Sequence, residues 1–196
     1  MKRWLIPIIL FVLGLITLLF DEFLIKSLVN LRVGFLTSFF LGIEFISSTT
    51  MVIFFLVLVS LFSKKLRFPL WFSIGTTVIL GFLLKFFVQR LRPYQEKIIP
   101  IASEKLVESS HLIWNFSFPS VHAMLAFATF SIISNKFPRL RVAWLIFAIL
   151  ICLSRIYLGV HYVSDVLIGA AAGYALGKLG IKISNSKFIK EIKLFS

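Results

Sequence analysis

The sequence predicts an all-α, polytopic membrane protein with six transmembrane helices and one further helix lying in the outer interface. Three observations carry this prediction. Of 196 residues, 59% are hydrophobic and only 15% are charged, whereas soluble domains run at about 45–50% apolar and about 25% charged. Six stretches approach the roughly 20 apolar residues that a helix needs to cross a bilayer. The links between them alternate in charge.

The six predicted spans cover residues 4–20, 42–62, 69–90, 119–135, 142–158 and 162–180. Lys2 and Arg3 precede the first, as in a secretory leader, but the chain runs on into "DEF" without a small-residue cleavage site. A retained first span is therefore expected. The second span contains "SSTT" (47–50), and the last carries Gly169, Gly173 and Gly177. Glycines at this i, i+4 spacing give a smooth face against which another helix can pack closely. In 23–40, Leu24, Leu28, Leu31 and Phe35 share one helical face, which suits a helix lying in the interface. The mixed stretch 94–118 is expected to cap what lies beneath it. A single domain, 1–196, accommodates all of this. Cys152 is the only cysteine, so an intrachain disulfide is excluded.

The net charge is +13, which in a soluble protein would point to nucleic acid. Its distribution argues otherwise, and no nucleic-acid-binding motif is present. Thirteen of the 21 basic residues lie in the links placed inside: Lys2 and Arg3; Lys64, Lys65 and Arg67; Lys136, Arg139 and Arg141; and Lys178, Lys182, Lys187, Lys190 and Lys193. Of eight acidic residues, only Glu191 shares that side; Asp21, Glu22, Glu44, Glu96, Glu104, Glu108 and Asp165 lie on the other or at its mouth. The positive-inside rule then places both termini in the cytoplasm.

The remaining cations sit where a membrane protein should avoid them. Lys85, Arg90, Arg92 and Arg155 fall toward the outer ends of the third and fifth spans, and a cation at a helix centre costs about 2.5–3.5 kcal/mol, less near an end. Lys85 and Arg92, seven apart, are expected on one helical face roughly 10 Å long. Arg90 points elsewhere, toward a headgroup or the interface. "FPSVHA" then places Pro119 as the first residue of the fourth span, with Ser120, Val121 and His122 in a first turn whose free N–H groups suit an anion. In "SRIYLGVHYVSD" (154–165), His161 and Asp165 are i, i+4 and face each other, with Arg155 just across the turn at Gly159. A carboxylate beside an imidazole fixes its tautomer. Three cations, a helix N-terminus and two imidazoles describe a phosphoryl pocket. A metal is not expected there, because two histidines and three cations repel a divalent ion.

These residues resemble a known family. "KFFVQRLRP" (85–93), "PSVH" (119–122) and "SRIYLGVHYVSD" (154–165) are similar in content, order and spacing to the three motifs of the type 2 phosphatidic acid phosphatase superfamily, which also includes vanadium haloperoxidases. The resemblance implies that His161 is a nucleophile forming a phosphohistidine, oriented by Asp165. It implies that His122 is the general acid, and the base for water afterwards. Lys85, Arg92, Ser120, Arg155 and the Val121 amide would hold the phosphate, without metal or other cofactor. The motif residue at 121 is usually glycine, so the bulk of Val121 bears on pocket width and substrate preference.

The expected activity is hydrolysis of a lipid phosphate in the bacterial inner membrane, at a site facing the periplasm. By resemblance the candidates are lipid A 1-phosphate and phosphatidylglycerophosphate, then undecaprenyl pyrophosphate and phosphatidic acid. No protein partner is evident. A lipid phosphotransferase would use the same intermediate, and phosphate release separates the two. A transporter fits less well, because the charges cluster at one mouth instead of crossing the membrane.

Overall fold

The computed structural model describes residues 4–103, 106 and 115–186. Lys2, Arg3, Glu104, Glu108, Lys187, Lys190, Glu191 and Lys193, and part of the 94–118 stretch, lie outside these residues. The described chain is helical: α1 (Leu5–Thr17), α2 (Asp21–Val29), α3 (Gly34–Ile46), α4 (Thr49–Phe62), α5 (Lys64–Val88), α6 (Val121–Lys136), a 3-10 turn (Pro138–Leu140), α7 (Arg141–Tyr157) and α8 (Val163–Ser184).

Among the described residues, three helical stretches are long and apolar enough to span: α5, the 3-10 turn continued into α7, and α8. Counting each bent pair as one span raises the number to five. The first predicted span ends at Thr17, where the chain turns 89° into α2. The helix predicted over 23–40 is two helices, α2 and α3, parted by residues 30–33. The predicted span 42–62 is broken at Ser47–Ser48, with a 49° bend between α3 and α4. Ser and Thr compete for the backbone through their hydroxyls, so "SSTT" marks the break.

At 16 residues, α6 is about 24 Å long, short of the ~30 Å hydrocarbon core. It is the central helix, packed by α5, α7 and α8. Ala123, Met124, Ala126, Phe127, Ala128 and Phe130 are all buried, as expected of a helix that is apolar on every side. The main core joins Phe127 and Phe130 to Ile151, Cys152 and Ile156 of α7 and to Val166, Ala170 and Tyr174 of α8. The outer surface is apolar too: Phe62 is 84%, Leu19 82% and Phe35 81% exposed, a surface that only lipid solvates comfortably.

The glycines of α8 set the spacing of the bundle. A Cβ on Gly173 would lie 1.9 Å from the Met124 carbonyl oxygen, so α6 and α8 touch backbone to backbone there.

Candidate active site

The C-terminal end of α5, the N-terminal end of α6, the C-terminal end of α7 and the N-terminal end of α8 meet at one end of the bundle. The Lys64–Arg67, Lys136–Arg141 and Lys178–Lys182 groups lie at the opposite ends of the same helices. The close α6–α8 contact brings Ser120, the N-cap of α6, against Asp165 of α8, and the Ser120 amide donates to the Asp165 carbonyl at 3.2 Å.

His161 lies in the turn between α7 and α8, formed where Gly159 adopts φ +81°. That turn is tied down from outside: Arg32 donates to the Tyr157 carbonyl at 2.9 Å and to the Pro100 carbonyl at 2.6 Å. Tyr94, Ile101 and Leu106 pack over Leu158 and Val160, so the described part of the 94–118 stretch covers it.

Asp165 occupies the N3 position of α8, where a carboxylate satisfies a free amide and complements the helix dipole. Its Oδ2 accepts the Tyr162 N–H at 3.0 Å. The imidazole does not touch the carboxylate directly: His161 Nδ1 and Asp165 Oδ2 are 3.7 Å apart, beyond hydrogen-bond reach. Ser117 Oγ stands between them, 2.5 Å from Asp165 Oδ2 and 3.4 Å from His161 Nδ1. Ser117 is fully buried, and it was not among the residues singled out in the sequence. Its place three residues before Ser120 was the only available signal.

Around the imidazole stand the cations. Arg92, Lys85, Arg155 and His122 all act electrostatically on His161. Burial first, and those positive neighbours second, hold its pKa well below the ordinary histidine value, so the ring is neutral. Lys85 is buried and donates to the Phe116 carbonyl. Among the described residues it has no carboxylate within ion-pair distance. Arg92 donates to the carbonyls of Asn115 at 2.8 Å and Val160 at 3.1 Å. Burial lowers the pKa of its guanidinium from the usual value. Lys85 and Arg92 do not share a helical face, because α5 stops at Val88, where Gln89 turns to φ 49°. They converge from a helix end and the segment beyond it. Arg155 is buried and pairs with Glu44 of α3, leaving its Nε without a hydrogen bond among the described residues.

Arg90 does not snorkel. Its Nη1 donates to Asp165 Oδ1 and Ser164 Oγ, each at 2.8 Å, and its Nη2 to Asp21 Oδ2 at 2.9 Å. Asp21, on α2, also accepts the Ser164 amide at 3.0 Å and the Ser164 hydroxyl. The Tyr162 ring lies 3.9 Å below the guanidinium. Burial works against the charge of Arg90, but Asp165 and Asp21 outweigh it and raise its pKa. Thus Asp165 gives one oxygen to Arg90 and the other to Ser117 and the Tyr162 amide.

Pro119 precedes α6 instead of opening it; Ser120 is the N-cap and Val121 the first helical residue. Ser120 makes no side-chain cap, and its buried hydroxyl has no partner among the described residues. Val121 is received by Gly81 of α5, where a Cβ would come within 2.7 Å of Val121 Cγ2. Its bulk therefore points into the α5–α6 contact. His122 is partly buried and also lines an apolar cavity of about 500 Å³ between α4, α6 and α7. No cluster of three or more His, Cys, Asp or Glu side chains suited to a metal occurs among the described residues.

A helical membrane bundle that gathers buried cations and two imidazoles at one end has the chemistry of an anion-handling membrane protein. A family model supplies the particular kind. That of the PAP2 superfamily matches residues 66–189, and the chain belongs to that superfamily. It is 29% identical over 175 residues to phosphatidylglycerophosphatase B of Bacillus subtilis, covering 81% of this chain and 78% of that protein. It is 27% identical over 138 residues to the undecaprenyl-diphosphatase of Sulfolobus acidocaldarius, covering 67% and 61%. A shorter match, 44% over 57 residues, covers 29% of this chain and 25% of the lipid A 1-phosphatase of Rhizobium etli. Among solved structures, the transmembrane PAP2-type phosphatidylglycerolphosphate phosphatase from Bacillus subtilis superposes with a TM-score of 0.72 at 26% identity, covering 97% of this chain and 99% of that one. Aquifex aeolicus LpxE superposes at 0.69 and 27% identity, covering 83% and 95%.

Proposed function

We propose that this protein is a lipid phosphatase that works through a phosphohistidine at His161. The observation that carries the reading is the gathering of buried Lys85, Arg92, Arg155 and His161, with His122, at one end of the bundle, in a chain whose relatives are lipid phosphatases.

The Nδ1 side of His161 faces Ser117 and Asp165, which holds the ring proton there and leaves the Nε2 lone pair for phosphorus. Nε2 attacks, the bond from phosphorus to the lipid oxygen breaks, and His122 gives that oxygen its proton. His122 then takes a proton from water, the hydroxide attacks phosphorus, the P–N bond breaks, and inorganic phosphate leaves. Lys85, Arg92, Arg155, Ser120 and the Val121 amide neutralise the equatorial oxygens, where charge develops. Arg155 exchanges Glu44 for phosphate when substrate enters. The positive setting of both imidazoles supports a reaction without a divalent ion.

The basic groups at the far helix ends support an inner-membrane topology of six spans, with α2 along the outer surface, both termini cytoplasmic and the site facing the periplasm. The 1–196 chain acts as one domain. The apolar cavity beside His122 gives the lipid tail a lateral path from the bilayer. The relatives support lipid A 1-phosphate or phosphatidylglycerophosphate as substrate, with undecaprenyl pyrophosphate next. Purified protein assayed against these lipids, with and without chelator, should release inorganic phosphate from at least one in both conditions. Absence of release from all of them, or release abolished by chelator, would overturn the reading.

A further inference from the structure

At the end of the bundle away from the histidines, α1, α6, α8, the Pro138–Leu140 turn and the start of α7 line a second, open cavity of about 520 Å³. Its wall carries Ser131, Ser134, Asn135, Arg141, Lys178 and Lys182. Arg141 and Lys182 have no carboxylate within ion-pair distance among the described residues. Lys178 is held between aromatic faces, 5.3 Å from the Trp4 ring and 5.4 Å from the Tyr174 ring. Ser131 is only 3% exposed, and its hydroxyl has no hydrogen-bond partner among the described residues. Cations near the last turns of α6 and α8 would complement the helix dipoles in any case, but that role calls for neither a cavity nor a buried hydroxyl without a partner.

Next to this polar cavity runs a groove of about 540 Å³ between α1 and α8, lined by Trp4, Pro7, Ile8, Phe11, Ala172 and Ala175 among others. Trp4 lines both. A basic chamber that shares Trp4 with an apolar groove along the bundle matches one class of ligand in its two parts. Basic pockets between membrane helices hold lipid phosphates, and the channel suits an acyl chain.

We propose that this cavity binds the phosphate of an anionic phospholipid, in the leaflet opposite the histidines, with one acyl chain in the α1–α8 groove. The site is separate from the phosphoryl pocket and does not depend on the activity assigned to it. Each of Arg141, Lys178 and Lys182 pairs with the phosphodiester, and Ser131 and Ser134 donate to its oxygens or to the glycerol.

Native mass spectrometry of the full-length protein in detergent tests this, with phosphatidylglycerol, phosphatidylcholine or inorganic phosphate added in separate arms. One phosphatidylglycerol should remain bound per chain under conditions that strip phosphatidylcholine, and millimolar phosphate should not displace it. One basic side chain at an anionic surface is worth about fivefold in binding, so Arg141→Gln with Lys182→Gln should weaken retention roughly 25-fold. Both side chains are exposed, and the variant is expected to fold. Ser131→Ala should weaken retention while leaving the lipid-free protein as heat-stable as the wild type or more so, because it removes a buried hydroxyl with nothing to bond. Equal retention of the two lipids, or unchanged phosphatidylglycerol retention in the double variant, would overturn the proposal. Displacement by phosphate would overturn its lipid part.

Discussion

Replacing Gly173 with alanine would drive a methyl group into the backbone of α6. The new Cβ would lie 1.9 Å from the Met124 carbonyl oxygen and 2.6 Å from both Met124 C and Cα. Carbon contacts are comfortable at about 3.5–4.0 Å, and none of these atoms belongs to a side chain that can swing away. The helices must therefore part by about 1–1.5 Å. Overpacking of this kind costs about 1–3 kcal/mol, occasionally more. The functional cost follows from what the two helices carry: α6 bears Ser120, Val121 and His122, and α8 bears Asp165. A displacement of about 1 Å at catalytic groups is worth about 10²-fold in rate. The assay has two arms, thermal unfolding in detergent and phosphate release from the best lipid substrate. Gly75→Ala, on α5 with nothing within 4 Å, is the control and should cost nothing in either. A Gly173→Ala protein as stable and as active as the wild type would refute the backbone-contact account of how the site is assembled.

Other predictions concern the site itself. Ser117→Ala and Arg90→Gln should each lower kcat by about 10–100-fold, the usual penalty for losing a group that orients a functional side chain. KM should be nearly unchanged, because neither residue is assigned to substrate; a loss confined to KM would contradict the assignment. His122→Ala should cost about 10²–10⁴-fold in phosphate release, the span typical of general acid–base catalysis; a smaller loss would remove it from that role. The pKa of His161 is lowered on folding, so below the ordinary value the unfolded chain takes up a proton that the folded protein refuses. The thermal midpoint of the wild type should therefore fall relative to that of His161→Gln as pH drops from about 7.5 to 5.5, and the two should run parallel above about 7. A constant difference across that range would contradict a buried neutral ring.

Much of the helical layout was legible because it depends on local composition. The predicted spans 142–158 and 162–180 match α7 and α8 closely at their starts, since a lipid-facing helix is recognisable from hydropathy alone. The bends were harder. The 89° turn after α1 falls at residues 18–20, just before the charged pair Asp21 and Glu22, and no glycine or proline marks its angle. The three motif stretches named the eight residues that the fold collects at one end, because their spacing follows helix ends. The partners of those residues were out of reach. Asp21 meets Ser164 across 143 positions, and Glu44 comes to Arg155 from a helix that carries no motif. A cation near a helix end reads as a snorkeller until its acid is seen, which is why Arg90 was misplaced. Likewise Val121 looked like an intrusion into the pocket until Gly81 was found opposite it.

The most direct test of the account is to trap the intermediate. Purified protein mixed with lipid carrying a radiolabelled phosphate, quenched within one turnover in alkali, should hold an acid-labile label that maps to the peptide containing His161. His161→Ala should hold none. Label retained on the His161→Ala protein, or full phosphate release by that variant, would contradict the claim that the His161 imidazole takes the phosphoryl group.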